Sequence, residues 1–151
     1  VGLLGNGREA STTAPLPTVG DLDSLVDDFA RAGLDVRVKV TGDPTRLSPA
    51  AGLDLYRIAQ EALANVAKHA PGAQAEVDLH IGEDAATLRI RDHGSRDGAH
   101  PLASAAGSGL GIAGMRERAA LLGGSLSAQR SGSGWQVECT IPMRVAGLAP
   151  G

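Results

Sequence analysis

The sequence of 151 residues predicts a single α/β sandwich of the α+β class, in which helices cover one face of a mixed sheet. Two observations predict this fold. Segments with apolar residues at helical spacing alternate along the chain with segments in which every second residue is apolar. The length suits one domain, and 42% hydrophobic residues with a net charge of only −3 favour a packed core over disorder.

The first half of the chain predicts a linker, two helices and a strand. Residues 1–20 are expected to be a linker or the end of a preceding region, and the mixture of Ser, Thr, Ala and Pro from Ser11 to Pro17 is typical of a linker or an ordered edge segment. Asp21 is a capping residue type and opens a helix over 21–32. Valines alternate with basic residues over 36–40, which is typical of a half-buried strand. Ser48-Pro49 is a helix-start signal, and it opens the longest helix, over 48–70. The apolar faces of these helices carry Leu22, Leu25, Val26 and Phe29, and Leu55, Ala59, Ala62 and Val66.

The second half predicts two hairpins on either side of a helix. Alternating apolar residues over 77–81 and 88–90 flank a Gly-Glu-Asp turn and predict the first hairpin. A helix over 110–122 ends at a Gly-Gly pair. Strands over 126–128 and 135–141 then flank a Ser-Gly-Ser-Gly turn and predict the second hairpin.

Composition excludes several classes of protein. The single cysteine, Cys139, permits neither an intrachain disulfide nor a thiolate zinc site, and its place in an alternating strand predicts a buried core residue. Fourteen basic against seventeen acidic residues give no electrostatic footprint for nucleic acid. No segment approaches the roughly 20 apolar residues that a membrane helix needs. Because the chain begins at Val1 rather than Met, we expect it to be a fragment.

A polar stripe on the long helix is the first candidate site. Glu61, Asn65 and His69 follow at intervals of four residues and so share one side of a helix, with Lys68 beside them. Carboxylate and carboxamide oxygens one turn apart can share Mg²⁺, and an ammonium group can meet phosphate oxygens. Spacing alone leaves an ordinary solvated helix face as the alternative.

The end of the first hairpin is the second candidate. Asp92 follows an alternating strand and is separated by one residue from Gly94. A carboxylate there can accept a hydrogen bond from an exocyclic amine, while the glycine lets a ligand approach the backbone. The alternative is a plain Asp-initiated turn.

Glycines before the third helix form the third candidate. Ten of the 21 glycines lie between Gly94 and Gly134, and Gly107, Gly109 and Gly111 alternate just before that helix. Backbone N–H groups there can face an anion at the helix N-terminus. The segment also contains G-x-G-x-x-G, but no βαβ unit surrounds it and no G-K-[ST] follows, so neither standard nucleotide motif applies. A flexible hinge is the alternative.

Together these motifs identify a family. E-A-L-x-N-x-x-K-H, D-x-G, G-x-G-x-G-x-x-G-M-R-E-R and L-L-G-G occur in that order over residues 22–143. The series resembles the catalytic ATP-binding domain of sensor histidine kinases, in particular the nitrate-sensor and DesK-like subgroup. The resemblance implies the Bergerat fold, an α/β sandwich that binds ATP or ADP with Mg²⁺ between its helices and a mobile lid.

The resemblance also implies a role for each motif residue. Asn65 is the expected Mg²⁺ ligand, and Glu61 is the expected catalytic carboxylate beside the metal and its waters. Lys68 would contact phosphate, and His69 would pack near the nucleotide. Asp92 would bind the adenine amino group, with Gly94 supporting its turn. Residues 95–106 would form the lid, and the phosphate loop would comprise Gly107, Gly109, Leu110 and Gly111. Because aromatic residues are scarce, adenine is expected to pack on aliphatic side chains rather than on Phe or Trp.

Two features depart from the family pattern. Arg96 stands where the D-x-G-x-G motif has its second glycine. In addition, none of the four histidines lies in a helical hairpin of the phosphoacceptor type: His80 is an expected surface strand residue, and His93 and His100 are expected in or beside the lid. We therefore expect the acceptor helices to precede Val1, and we expect the fragment to bind Mg²⁺–nucleotide without phosphorylating itself.

The resulting expectation is a catalytic domain over 21–144, followed by a flexible tail over 145–151. In two-component signal transduction it would supply the γ-phosphoryl group to a histidine on a separate dimerisation domain, for passage to a response regulator. We expect a cytoplasmic domain, whose intact protein is a homodimer that a membrane anchor could hold, while the fragment alone could be monomeric. The alternatives are a serine kinase of the anti-sigma-factor type and a non-catalytic, nucleotide-binding pseudokinase module.

Overall fold

The computed structural model describes residues 15–94 and 111–143, and these form three α-helices and one five-stranded sheet. The helices are α1 (Leu22–Arg31), α2 (Pro49–His69) and α3 (Ile112–Leu121). The strands are β1 (Asp35–Thr41), β2 (Gln74–Ile81), β3 (Ala85–Asp92), β4 (Ser125–Ser131) and β5 (Gly134–Pro142). The sheet order is β1-β2-β3-β5-β4; β1 and β2 are parallel and the other pairs antiparallel. The predicted α+β fold with a mixed sheet is confirmed.

The core lies between the helices and one face of the sheet. Helix α2 packs on β3 and against both other helices, α1 packs on β1, and α3 packs on β4 and β5. Every second residue of β2, β3 and β5 is buried, and these residues meet the apolar face of α2. The largest fully enclosed side chains come from both layers and include Leu55, Ile58, Leu63, Leu79, Leu88 and Ile90.

The other face of the sheet is a charged surface with opposite charges in register. One row across the strands comprises Arg37, Glu76 and Arg91, and the next comprises Lys39, Asp78, Arg89 and Glu138. Nη2 of Arg89 lies 2.8 Å from Oε2 of Glu138, and Nη2 of Arg91 lies 3.1 Å from Oε1 of Glu76. Cross-strand pairs of opposite charge stabilise a sheet without burying it, so this face can remain open to water.

The start of α2 follows its predicted signals. Oγ of Ser48 accepts a hydrogen bond of 3.1 Å from the backbone N–H of Ala51, and Pro49 occupies the first helical position. The start of α1 differs from the prediction. The Asp21 carboxylate accepts from the backbone N–H of Thr18, at 2.9 Å, and so closes a preceding 3₁₀ turn instead of capping α1. That turn buries Val19 in the core, so packing begins slightly before residue 21.

Two single-residue expectations and the half-buried character of β1 can be checked in the fold. Cys139 is buried in β5, where burial raises the pKa of its thiol to about 11, and the prediction of a core residue is confirmed. His80 lies exposed on β2, as predicted, with its Nδ1 2.8 Å from Oγ1 of Thr41. The valines of β1 are only partly buried, because β1 is an edge strand, and Val40 is 39% exposed.

Within residues 15–94 and 111–143, no helix has the length and apolar character needed to cross a bilayer.

Candidate functional site

The site is built around a buried carboxylate at the end of β3. Asp92 is 1% exposed, and it is the one buried charged residue in the part of the chain that the structure describes. Its Oδ1 accepts a hydrogen bond of 2.8 Å from the backbone N–H of Gly94. Alternation along β3 directs Leu88, Ile90 and Asp92 toward the helical layer. Because burying a carboxylate is costly, its presence on this face indicates a role beyond starting a turn.

The turn between β4 and β5 holds this carboxylate in place. A Cβ atom on Gly134 would overlap the carbonyl oxygen of Asp92 and would lie 2.7 Å from its Oδ1. Gly94 has a φ of +89°, and a Cβ there would overlap the carbonyl oxygen of Ser133. Oγ of Ser133 donates a hydrogen bond of 2.8 Å to the carbonyl oxygen of His93. Two glycines therefore allow the two turns to meet backbone to backbone.

Ser133 and Gly134 are site residues that the sequence motifs do not predict. The available signal was the Ser-Gly-Ser-Gly turn itself, which predicts a hairpin equally well without any contact to Asp92. Only the pairing of β5 with β3 brings that turn against the end of β3.

The polar stripe of α2 lies on its solvent side. Glu61 and Lys68 are exposed, and Asn65 and His69 are half-buried. All four belong to one continuous helix that runs to His69, so their predicted arrangement along one side of α2 is confirmed. The carboxylate and carboxamide oxygens of this stripe are ligands of the kind that Mg²⁺ prefers.

The start of α3 meets this stripe at Glu61. Gly111 precedes α3 with a φ of +75°, and a Cβ atom there would overlap Oε2 of Glu61 and lie 2.8 Å from its Cδ. Further along, Nη1 of Arg118 lies 3.3 Å from Oδ1 of Asp54, which joins α3 to α2 a second time. Two of the three sequence motifs are thus brought into direct contact. The other residues of the predicted phosphate loop lie outside the described residues; these are Gly107, Gly109 and Leu110. Arg96 and His100 also lie outside the described residues.

His93 lies beside the site and faces away from it. Its Nε2 is 3.3 Å from Oε2 of Glu76 on the open face of the sheet. The hydrogen bond with His93, with a smaller contribution from Arg91, lowers the pKa of the Glu76 carboxyl. His93 therefore joins the charged rows of the outer face, whereas Asp92, its neighbour in sequence, faces the core.

A cleft of about 490 Å³ lies beside the end of β3, and its lining includes one predicted site residue, Gly94, together with Gly72, Gln74 and His93. Asp92 and the polar stripe of α2 do not line this cleft. A second cleft, of about 660 Å³, is lined by residues such as Arg46 and Met143 near the far end of β5, and none of the predicted site residues lines it. Within the described ranges, no three His, Cys, Asp or Glu side chains gather into a metal-binding group.

Comparison with known proteins identifies the family. The family described as histidine kinase-, DNA gyrase B- and HSP90-like ATPase matches residues 50–145. The chain is 31% identical over 122 residues to the sensor histidine kinase MctS of Rhizobium johnstonii, covering 80% of this chain and 26% of that protein. It is 34% identical over 104 residues to the signal transduction histidine-protein kinase/phosphatase UhpB of Salmonella typhimurium, covering 68% of this chain and 19% of that protein. The chain thus spans about a quarter or less of these relatives.

Solved structures agree on the fold. The histidine kinase AdeS of Acinetobacter baumannii superposes with a TM-score of 0.60 at 16% identity, over 83% of this chain and 64% of that one. The catalytic domain of histidine kinase ThkA gives a TM-score of 0.58 at 12% identity, over 82% of this chain and 95% of that one. The chain belongs to the histidine kinase-, DNA gyrase B- and HSP90-like ATPase family, as the ATP-binding catalytic domain of a histidine kinase.

Proposed function

We propose that this domain binds Mg²⁺–ATP between α2 and the start of α3, and that it presents the γ-phosphoryl group to a histidine on a separate domain. The observation that carries the proposal is the buried Asp92 at the end of the sandwich where α2 ends, since Asp92 pairs with Ala75 at the start of β2, just after α2. A hydrogen-bond acceptor in the interior and polar groups at the surface suit a ligand with a planar base and a charged tail.

Asp92 is the proposed adenine-binding residue. A carboxylate offers about four acceptor positions, so the bond from the Gly94 N–H is compatible with a second one from the amino group of adenine. Guanine presents a carbonyl oxygen where adenine has that amino group, and two facing acceptors repel each other. Gly94 supports the turn by permitting its close contact with Ser133.

Glu61, Asn65 and Lys68 are the proposed groups for the metal and the phosphates. Their donor set fits Mg²⁺, which binds proteins through one or two oxygen ligands and completes its shell with phosphate and water. When bound, the metal would neutralise phosphate charge. Asn65 and Glu61 would hold it, with Glu61 as the catalytic carboxylate that orients its waters, and Lys68 would contact phosphate oxygens. His69 would pack beside the nucleotide at the end of α2.

The glycine segment is the proposed phosphate loop. Gly111 places the N-terminus of the ten-residue helix α3 directly against Glu61. Backbone N–H groups at such a terminus bind anions, and the helix dipole favours negative charge there. Gly107, Gly109 and Leu110 would extend this loop, and residues 95–106 would close over the ligand.

The reaction is proposed as phosphoryl transfer between domains. The bond between the γ-phosphorus and its bridging oxygen breaks, a phosphorus–nitrogen bond forms with the acceptor imidazole, and ADP leaves. None of the described histidines suits the acceptor role, since His80 and His93 lie on the outer face of the sheet and His69 ends α2. The acceptor would belong to a dimerisation domain of the intact protein, which would be a homodimer and would pass phosphate to a response regulator. The domain itself would be cytoplasmic.

Thermal unfolding with and without Mg²⁺–ADP tests the proposal. At about 100 times the dissociation constant, ADP should stabilise the domain by roughly 2.7 kcal/mol, and the increase should be smaller without Mg²⁺. Asn65→Ala should remove the Mg²⁺-dependent part of the shift, because it removes the proposed ligand oxygen. Gln60→Ala, which alters a carboxamide elsewhere on α2, is the matched control and should respond as the wild type does.

Two results would contradict this proposal. One is a shift with Mg²⁺–ADP that is the same in Asn65→Ala and in the wild type. The other is stable incorporation of labelled phosphate from ATP into the isolated domain, since the proposed acceptor lies elsewhere. A nucleotide-binding domain whose intact protein transfers no phosphate would instead support the pseudokinase alternative, and transfer to a partner serine would support the anti-sigma-factor type.

A further inference from the structure

We propose that Trp135 forms a wall of the adenine pocket beside Asp92 and contributes to the preference for adenine. The inference rests on the proposed function, because it adds a specificity-determining residue to the same site. It replaces the expectation that adenine packs only on aliphatic side chains.

The pairing of β3 with β5 places the two residues side by side. These strands are antiparallel, and Arg91 lies opposite Gln136. Both strands continue past that pair, β3 to Asp92 and β5 back to Gly134. One further step in this register sets Asp92 opposite Trp135, where antiparallel neighbours have Cα atoms about 4.5–5.5 Å apart. A Cβ on the adjacent Gly134 would overlap the Asp92 carbonyl oxygen, so this end of β5 lies against Asp92.

Trp135 points to the same side of the sheet as Asp92. Alternate residues of β5 are buried, from Trp135 through Val137 to Cys139, and they form part of the core. Asp92 occupies the equivalent inward position on β3. Trp135 is 9% exposed and is the first inward side chain of β5, so its ring lies at the end of the core where the buried carboxylate is found.

The chemistry of the pair matches a purine. Adenine has flat apolar faces and a polar edge, and base–aromatic packing is among the strongest contacts that proteins make with bases. An indole ring supplies an apolar surface beside the base, while Asp92 accepts from its amino group at the edge. Neither group alone distinguishes adenine from other ligands as well as the two together.

Fluorescence provides a direct readout, since Trp135 is the only tryptophan of the chain. The 151-residue protein is titrated with Mg²⁺–ADP, and tryptophan emission is compared with heat in isothermal calorimetry. We expect a saturable change in emission whose dissociation constant equals the calorimetric one. Magnesium tripolyphosphate, which lacks a base, should leave the emission unchanged even where it binds.

Substitutions separate base contact from general support of the fold. Trp135→Ala should weaken Mg²⁺–ADP binding by about ten-fold or more while leaving tripolyphosphate binding within about two-fold. Trp135→Phe keeps an aromatic ring and should lose only a few-fold. Phe29→Leu, at a half-buried aromatic residue of α1, is the matched control and should bind ADP as the wild type does.

The outcomes distinguish this inference from the proposed function. If calorimetry shows no binding of ADP by the wild type, the proposed function fails and the inference fails with it. If ADP binds but the emission does not respond, or if Trp135→Phe and Trp135→Ala bind ADP as tightly as the wild type, the inference alone is overturned. Should Trp135→Ala not fold, the emission titration and Trp135→Phe still decide the question.

Discussion

Carboxylates on the two faces of the sheet differ in their exposure to solvent and in the groups that bind them. On the outer face, Glu76 and Glu138 lie within 3.1 and 2.8 Å of arginines, with 40% and 31% of their side chains exposed. On the inner face, Asp92 is 1% exposed and is held by backbone groups at a turn. Exposed ion pairs contribute little and tolerate change, whereas a buried carboxylate carries a desolvation cost. The difference separates the carboxylates that pair on the surface from the one that we propose binds the ligand.

The glycines beside Asp92 also distinguish its surroundings from the outer face of the sheet. Around Asp92 the turn between β4 and β5 approaches so closely that side-chain atoms on Gly94 or Gly134 would overlap backbone atoms. Close approaches of this kind also occur at Gly42 and Gly124, but among the described glycines none has a nearest contact with the paired arginines and glutamates of the outer face, whose ends reach into solvent. If this comparison is correct, changes near Asp92 should affect stability and nucleotide binding together, and changes in the charged rows should affect neither by much.

The largest effect is expected for Gly134→Ala. The new Cβ would overlap the carbonyl oxygen of Asp92, so the turn must shift and carry the carboxylate with it. We expect a loss of about 1–3 kcal/mol in the free energy of unfolding, together with weaker binding of ADP. Denaturant unfolding and calorimetric titration measure the two quantities.

Gly132→Ala is the matched control for that change. Gly132 lies in the same turn with a φ of +60°, but a Cβ there would meet nothing within 4 Å. It should lower stability by about 1–2 kcal/mol through backbone strain while leaving ADP affinity unchanged. Equal losses of ADP affinity in both variants would show that the turn as a whole, rather than its contact with Asp92, controls binding.

The smallest effect is expected for Arg89→Met. This change removes the exposed pair with Glu138 and keeps most of the apolar stem, so stability should fall by no more than about 1 kcal/mol. The loss should shrink at high salt, because exposed charges are screened, and ADP binding should not change. A loss above about 2 kcal/mol in denaturant unfolding, or a change in ADP affinity, would contradict the expectation that the charged outer face contributes little to stability and nothing to ADP binding.

Local chemistry explains why so many elements could be predicted from sequence. The start of α2 depends on the Ser48 side chain and the ring of Pro49, and both act within one helical turn. The strands of the hairpins follow from period-two alternation and glycine-rich turns. Even so, Asp21 shows that a capping residue type can bond to the preceding turn instead, because the sequence does not show which backbone N–H a short side chain will meet.

The features that could not be predicted from sequence depend on contacts between residues that are distant along the chain. Asp92 meets Gly134 only because β5 pairs with β3, and Glu61 meets Gly111 only because α3 packs on α2. The motifs predict roles for Asp92 and Asn65 through a family resemblance, but they do not show how either side chain is held. Trp135 belongs to no motif, and its proposed place beside Asp92 follows from extending the register of β3 and β5 by one residue.

The base selectivity of Asp92→Asn tests the proposed adenine contact of Asp92 more directly than any other measurement. Asparagine is nearly isosteric and keeps an oxygen that can accept from the Gly94 N–H, so the fold should persist with little change in melting temperature. Its amide group can also donate a hydrogen bond, which a carboxylate cannot do and which the carbonyl oxygen of guanine can accept. The ratio of the GDP to the ADP dissociation constant, measured by calorimetry with Mg²⁺, should therefore fall by about ten-fold or more. A folded Asp92→Asn protein with the wild-type ratio would contradict the proposed contact between Asp92 and adenine.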